Sequence, residues 1–337
     1  MGKAGVPTII DGDGHVIEFD DEIIPYLTDK YPEDGLRNYY LFPTLDGWRR
    51  GMSDRPLGYD AKGWGMFLEL AKIDGSVLYP TTALAFAFAK DPTWAADLAH
   101  AYNNWVSDRF LKQDSRLKAV AVLPVQDPPA AAQELRYAVE ELGMVGGLLP
   151  TPGLRVPYGH ESFDPIFREA ESLGTVLAVH GASRRDGVGI GLDYIQGGGQ
   201  TEGFVLSHLF GQMSQFTNMI LSRVWERFPT LKVVFLEAGC GWVPYLMERI
   251  DRRTAGLASA QVQNSPIYFH AELEEEYVLP PALSFVGDDR FIYASDYPHE
   301  THNAAIKALD EFLAREDITI ASKNKLLCDN IKTLYGF

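Results

Sequence analysis

The sequence predicts an α/β protein: a distorted (β/α)8 TIM barrel with a cap inserted after its first strand, one domain over residues 1–337. Three observations carry this. Eight short, β-branched apolar runs recur along the chain. Most are continuous rather than alternating, as in parallel strands covered on both faces. Amphipathic stretches at helical spacing separate them, which is the βα repeat of a closed barrel. The competing architecture, an open doubly wound sheet, usually carries a Gly-rich phosphate loop after its first strand, and none follows Ile10.

Taken in order, the strand runs are 8–10, 76–79, 119–123, 145–149, 175–179, 233–236, 267–269 and 291–293. Helices are expected over 92–111, 128–142, 164–173, 203–228, 241–258, 301–314 and 321–335. Pro128 opens one and Gly143 stops it; Gly174 and Pro229 stop two others. Two segments exceed a minimal barrel. Residues 18–73, rich in aromatic and Arg side chains, read as the cap. Residues 181–203, with glycines at 187, 189, 191 and 197–199, read as a mobile loop after the fifth strand.

Composition excludes several classes. Apolar residues are 46% and charged residues 23%, so most of the chain is not disordered. Thirty Lys and Arg against 46 Asp and Glu give a net charge of −16, which repels nucleic-acid phosphates and anionic membranes. Cys240 and Cys328 cannot make a disulfide scaffold and suit a reducing compartment. No secretory h-region stands in residues 1–7, and the run 76–89 is too short to span a bilayer. A cytoplasmic protein is expected.

In a barrel the site lies at the C-terminal ends of the strands. The second, third and fourth runs end in Pro80, Pro124 and Pro150, which supply no ligands. The others end in Asp11-Gly-Asp13-Gly-His15, His180, Glu237, His270 and Ser295-Asp296. Asp13 and His15, two apart on extended backbone, share one face. With His180 and Asp296 they form an N/O ligand set for one divalent metal, Zn²⁺ or, second, Mn²⁺. Each has a plain alternative taken singly: a capped turn for Asp13 and His15, a core histidine for His180, a helix cap for Asp296. Their concurrence at strand ends favours the metal.

Ile10-Asp11-x-Asp13-x-His15, then Val179-His180, then Arg-Phe-Pro-x-Leu-Lys-Val-Val-Phe at 227–235, then Ala294-Ser295-Asp296-Tyr297-Pro298-His299 together resemble the amidohydrolase superfamily. More narrowly, the chain resembles its amidohydrolase-related, aminocarboxymuconate-semialdehyde decarboxylase-like branch, from about residue 8 to 335. The resemblance implies a distorted barrel holding one divalent metal, and a homodimer. Asp13 and His15 stand where the family has His-x-His or Glu-x-His, His180 is the fifth-strand ligand, and Asp296 is both ligand and proton carrier. One departure stands out. Family decarboxylases commonly carry His-x-Gly after the sixth strand, where this chain has Glu237-Ala238-Gly239.

The leading expectation is therefore a metal-dependent hydrolase. Metal-activated water would attack a C–N, C–O or C–C bond of a small aromatic or unsaturated organic acid, with Asp296 taking the proton. The alternative is a non-oxidative carboxy-lyase using the same residues. Hydrolysis is favoured because the sixth-strand imidazole is missing. Glu237, His208 and His299 are further catalytic candidates; Glu237 would ligate metal, orient a neighbour or move protons. Arg184, with Trp48 and Arg49 in the cap, would bind the substrate carboxylate and ring. His270 is expected to support rather than ligate, Glu18 to cap a helix, and His100 and His160 to be structural. A non-catalytic binding protein would have lost the ligand set, and a nicotinamide enzyme would show a dinucleotide fingerprint; neither fits.

Overall fold

The computed structural model describes residues 8–43, 58–182 and 200–337. Eight strands form one sheet in the order of the chain: β1 (Ile10–Val16), β2 (Gly75–Pro80), β3 (Leu117–Ala121), β4 (Gly146–Pro150), β5 (Val176–His180), β6 (Lys232–Phe235), β7 (Ile267–Ala271) and β8 (Phe291–Tyr293). Every neighbouring pair is parallel; Leu148 faces Ala178 across β4 and β5, and Val234 faces Tyr268 across β6 and β7. The sheet nearly closes. Its seam is made just beyond β8, where Asp296 N–H donates to Asp13 O (3.0 Å) and His15 N–H to Tyr297 O (2.7 Å).

The continuous apolar runs end up as expected. Val176, Leu177, Ala178 and Val179 are wholly buried, as are Val233, Val234 and Phe269. Phe235 and Phe269 stack at 5.7 Å, with Phe216 and Trp242 edge-on against them, a geometry that adds to plain area burial. Several helices start on side-chain caps, among them Asp91 for Pro92–Val106, Asp127 for Pro128–Glu140 and Thr301 for His302–Ala314. The closing segment, Ile320–Asn324 through Asn330–Tyr335, is tied to the barrel. Asn330 Nδ2 donates to Phe291 O (2.7 Å), and Lys232 Nζ to Thr333 and Leu334 carbonyls (both 3.3 Å).

Several boundaries differ from those read in the sequence, for identifiable reasons. β1 runs six residues past Ile10, although Asp and Gly are poor strand formers, because buried partners hold it. The stretch 241–258 is two helices, Trp242–Thr254 and Leu257–Asn264, broken where Ala255 and Gly256 both adopt positive φ. The stretch 92–111 ends in a π turn over Ser107–Leu111. Leu279–Val286 is a helix that its early prolines concealed, although proline is tolerated in a first turn. Within the proposed cap, Asp20–Ile23 and Glu33–Arg37 are short helices. Ala61–Ala71 packs between His302–Ala314 and Ser107–Leu111, in the outer helix ring. Among the described residues no helix is long and apolar enough to cross a membrane.

Candidate metal centre

β1 explains the alternation in Asp11-Gly-Asp13-Gly-His15. A Cβ on Gly12 would lie 2.8 Å from Ile292 Cδ1 and 2.9 Å from Tyr293 O. One on Gly14 would lie 2.3 Å from Trp64 Cη2 and 2.7 Å from Ser76 Oγ. Only glycine lets β1 lie this close to β8 and to the Ala61–Ala71 helix. Asp11 braces the seam. It accepts from Ser76 Oγ (2.6 Å), Ser295 N (2.8 Å), Ser295 Oγ (2.9 Å) and Asp13 N (3.2 Å). Burial, against these hydrogen bonds, pushes its carboxyl up to about 6. Ser295 so held presents the next residue, Asp296.

Asp13, His15 and His180 then meet at one point. Asp13 Oδ2 is 3.2 Å from His180 Nε2, and Asp13 Oδ1 is 3.5 Å from His15 Nε2. Asp296 Oδ1 approaches His15 Nε2 at 3.3 Å. The donor atoms of Asp13, His15 and His180 lie within 4.8 Å of one another, and those of His15, Asp296 and His299 do likewise. The four residues named as ligands from the sequence are thus gathered at the C-terminal ends of β1 and β5 and just beyond β8.

The tautomers test whether a cation fits. His15 Nδ1 is 2.8 Å from Pro80 O, and His180 Nδ1 is 2.7 Å from Gly181 O. A carbonyl only accepts, so both Nδ1 atoms carry hydrogen. In the neutral state that tautomer turns the Nε2 lone pair of each ring toward the carboxylates. His15 Nε2, His180 Nε2 and Asp13 Oδ1 are all buried without a hydrogen-bond partner. Acceptors facing acceptors repel; a positive charge between them resolves the repulsion. The protonation preferences agree. Burial opposes a charge on His15, yet Asp13 and then Asp296 outweigh it and push the imidazole up to about 10. Burial would raise Asp296, but His299 and His15 hold it well below the usual carboxylate range. Without a metal the cluster holds a proton; the donor set fits a divalent ion.

The remaining candidates take distinct places. His299 stacks on His15 (4.0 Å, 22°), with Nδ1 2.9 Å from Asp296 Oδ1 and Nε2 2.8 Å from Thr81 Oγ1. Burial, then the His15 charge, presses it down to about 4. Glu237 lies behind the cluster. Its Oε2 is 3.4 Å from His180 Nδ1, the edge turned away from Asp13, and 2.9 Å from His208 Nδ1. It occupies a left-handed backbone position (φ 54°), as does Asp296 (φ 51°). Its N–H donates to His270 Nδ1 (3.2 Å), the supporting part expected of His270. Burial and then Asp296 push the Glu237 carboxyl well above its ordinary range, and burial takes His208 down to about 4.

Glu18 caps, as expected: it accepts from the N–H groups of Thr81, Thr82 and Ala83 at 2.9–3.3 Å. His100 pairs with Glu134 and His160 caps Ser162. Trp48, Arg49 and Arg184 lie outside the described residues. The sequence did not reveal Asp11 as the brace, Thr81 beside His299, or the carbonyls of Pro80 and Gly181 that fix the imidazoles. The proline ends of β2 to β4 offer no side-chain ligand, but Pro80 contributes through its backbone carbonyl.

A parallel eight-stranded barrel with imidazoles and carboxylates converging at its strand ends defines a class of metal-dependent barrel enzyme. The chain belongs to the amidohydrolase family, whose model matches residues 51–337. Among its relatives, the gamma-resorcylate decarboxylase of Polaromonas sp. strain JS666 is 24% identical over 269 residues, covering 73% of this chain and 78% of its own. The 2-amino-3-carboxymuconate-6-semialdehyde decarboxylase of Dictyostelium discoideum is 24% identical over 231 residues, 65% of this chain and 61% of its own. The solved dihydroxybenzoic acid decarboxylase of Polaromonas sp. JS666, with bound manganese and the inhibitor 2-nitroresorcinol, superposes with a TM-score of 0.73. It is 20% identical and covers 98% of this chain and 97% of that one. These relatives are decarboxylases, so the comparisons favour the lyase alternative over the expected hydrolysis. Glu237, at the sixth-strand position, stands behind His180 and outside the convergent cluster.

Proposed function

We propose that the protein is a non-oxidative, metal-dependent decarboxylase of a small hydroxylated aromatic carboxylate. The observation that carries this is the convergence of Asp13, His15, His180 and Asp296, whose buried, unpartnered His15 Nε2, His180 Nε2 and Asp13 Oδ1 a divalent cation would satisfy together. These four residues would hold the ion. Mn²⁺ is preferred over the Zn²⁺ first expected, because two carboxylates accompany the two imidazoles and the solved relative holds manganese. When bound, such an ion supplies Lewis acidity toward the substrate's carboxylate and neighbouring oxygen.

The chain's own part is proton handling. Thr81 Oγ1 has two partners at 2.8 Å, Val16 O and His299 Nε2. When His299 is neutral and donates from Nδ1 to Asp296, the Thr81 hydroxyl points at Nε2. When His299 carries a second hydrogen, the hydroxyl turns to Val16 O and accepts instead. Either state leaves the His299 ring nitrogens paired, so the Asp296–His299 couple can take a proton and return it. In decarboxylation that proton goes to the ring carbon bearing the carboxylate. The C–C bond then breaks, its electron pair restores the aromatic ring, and CO₂ departs. Glu237 braces His180 and His208, and the substrate carboxylate and ring are assigned to Arg184, Trp48 and Arg49.

The test is product analysis with Mn²⁺-loaded protein and a panel of ortho-hydroxybenzoates. The proposal expects CO₂ release, one solvent deuterium at the vacated carbon in D₂O, and no oxygen from labelled water in the aromatic product. Water-derived oxygen in the product, without CO₂, would overturn it in favour of hydrolysis.

A further inference from the structure

The strands that supply no side-chain ligand, β2, β3 and β4, send out loops that enclose a separate cavity of about 400 Å³. No residue of the convergent cluster lines it. Its size falls within the roughly 300–1,000 Å³ of small-molecule sites. Its walls are mostly apolar, with Phe88, Val125, Leu154 and Phe163 among them, and Lys90 and Arg155 also line it.

The cavity is built in advance of any ligand. Gly153, at φ 87°, brings the loop after β4 flush onto the loop after β2: a Cβ there would sit 2.8 Å from Ala87 C and Phe88 N. Gln126 Nε2 donates to Phe86 O (2.7 Å) and ties the loop after β3 to the same place. Three loops are thus fixed to one another, so a ligand pays little ordering cost.

Charge selects the occupant. The chain carries −16, and cations such as Lys30 and Arg116 are taken up by Asp97 and Asp114. Lys90 and Arg155 have no acidic partner among the described residues. Among the described residues two cations and no carboxylate line this apolar pocket, and on a protein of net charge −16 that lining suits a flat apolar body with one negative end. We propose that this pocket is a second ligand site for a planar aromatic monocarboxylate, its ring among Phe88, Leu154 and Phe163 and its carboxylate on Lys90 and Arg155. The site stands whether or not the metal centre decarboxylates anything.

The experiment is equilibrium dialysis of radiolabelled benzoate, with chelator present, against wild-type protein and His180→Ala protein, so that no metal-dependent site contributes. One saturable equivalent per chain is expected in both. The double variant Lys90→Glu/Arg155→Glu should weaken it about tenfold or more, and benzyl alcohol, uncharged and similar in size, should compete about tenfold worse than benzoic acid's anion. Both substitutions are on exposed side chains, so folding is preserved; if His180→Ala does not fold, chelated wild-type protein carries the comparison. Absence of saturable binding, an unchanged affinity in the double variant, or equal competition by benzyl alcohol would each overturn the proposal.

Discussion

Replacing Asp11 by Ala removes one side chain from four hydrogen bonds at the seam between β8, β1 and β2. The donors left behind are buried, and at about 1.5 kcal/mol each their loss costs about 6 kcal/mol. Part is regained. The Asp11 carboxyl is pushed from 3.8 to about 6 by burial, so at neutral pH its ionised form costs the native state about 3 kcal/mol, at 1.36 kcal/mol per pKa unit. The net destabilisation expected at pH 7 is about 3 kcal/mol. The sign of its pH dependence follows. A carboxyl whose folded value is raised contributes most below its unfolded value, and that contribution is lost as pH climbs through about 6. The wild-type advantage over Asp11→Ala should therefore widen by about 1.3 kcal/mol from pH 7 to pH 5. Urea unfolding of metal-stripped protein at the two pH values measures both quantities. A gap below about 1 kcal/mol at pH 7, or one that narrows toward pH 5, would refute the brace and its energetics.

Thr81→Val keeps the shape beside His299 but removes the hydroxyl that turns between Val16 O and Nε2. Turnover should fall roughly ten- to a hundredfold with metal affinity unchanged, and the pH profile should shift, whereas a merely structural role would leave the profile alone. Asp296→Asn should abolish turnover to within about a thousandth of wild type while the far-ultraviolet dichroism stays the same. Metal binding should release protons: His15 is held up to about 10 without metal, so below that pH the ion must displace a proton and its apparent affinity should fall about tenfold per unit of acidification. Calorimetry in two buffers of different ionisation enthalpy reads this, and a pH-independent affinity would contradict it.

How much of this was legible in the sequence depends on the kind of interaction. Strands such as Val176–His180 announce themselves because both faces are buried, so every residue must be apolar until the proposed ligand at its end. The two-residue spacing of Asp13 and His15 likewise survives translation into structure, because extended backbone has a period of two. β1 was under-read because its extension rests on glycines chosen for what they touch, Trp64 and Ile292, which are distant in sequence. Glu237 was placed at the right strand end, but its direction was not readable. That direction is set by a positive φ and by the bond from its N–H to His270, neither of which has a local signature. Backbone carbonyls such as Pro80 O are invisible to residue-type reasoning altogether.

The most direct test of the centre is a titration of Mn²⁺ into chelator-stripped protein, followed by electron paramagnetic resonance of the free ion, for the wild type and for His180→Ala and Asp13→Asn. One tight ion per wild-type chain, lost in both variants while they remain folded, is the outcome that four convergent side chains require. A wild-type chain that binds no ion, or variants that bind as well as it does, would contradict it.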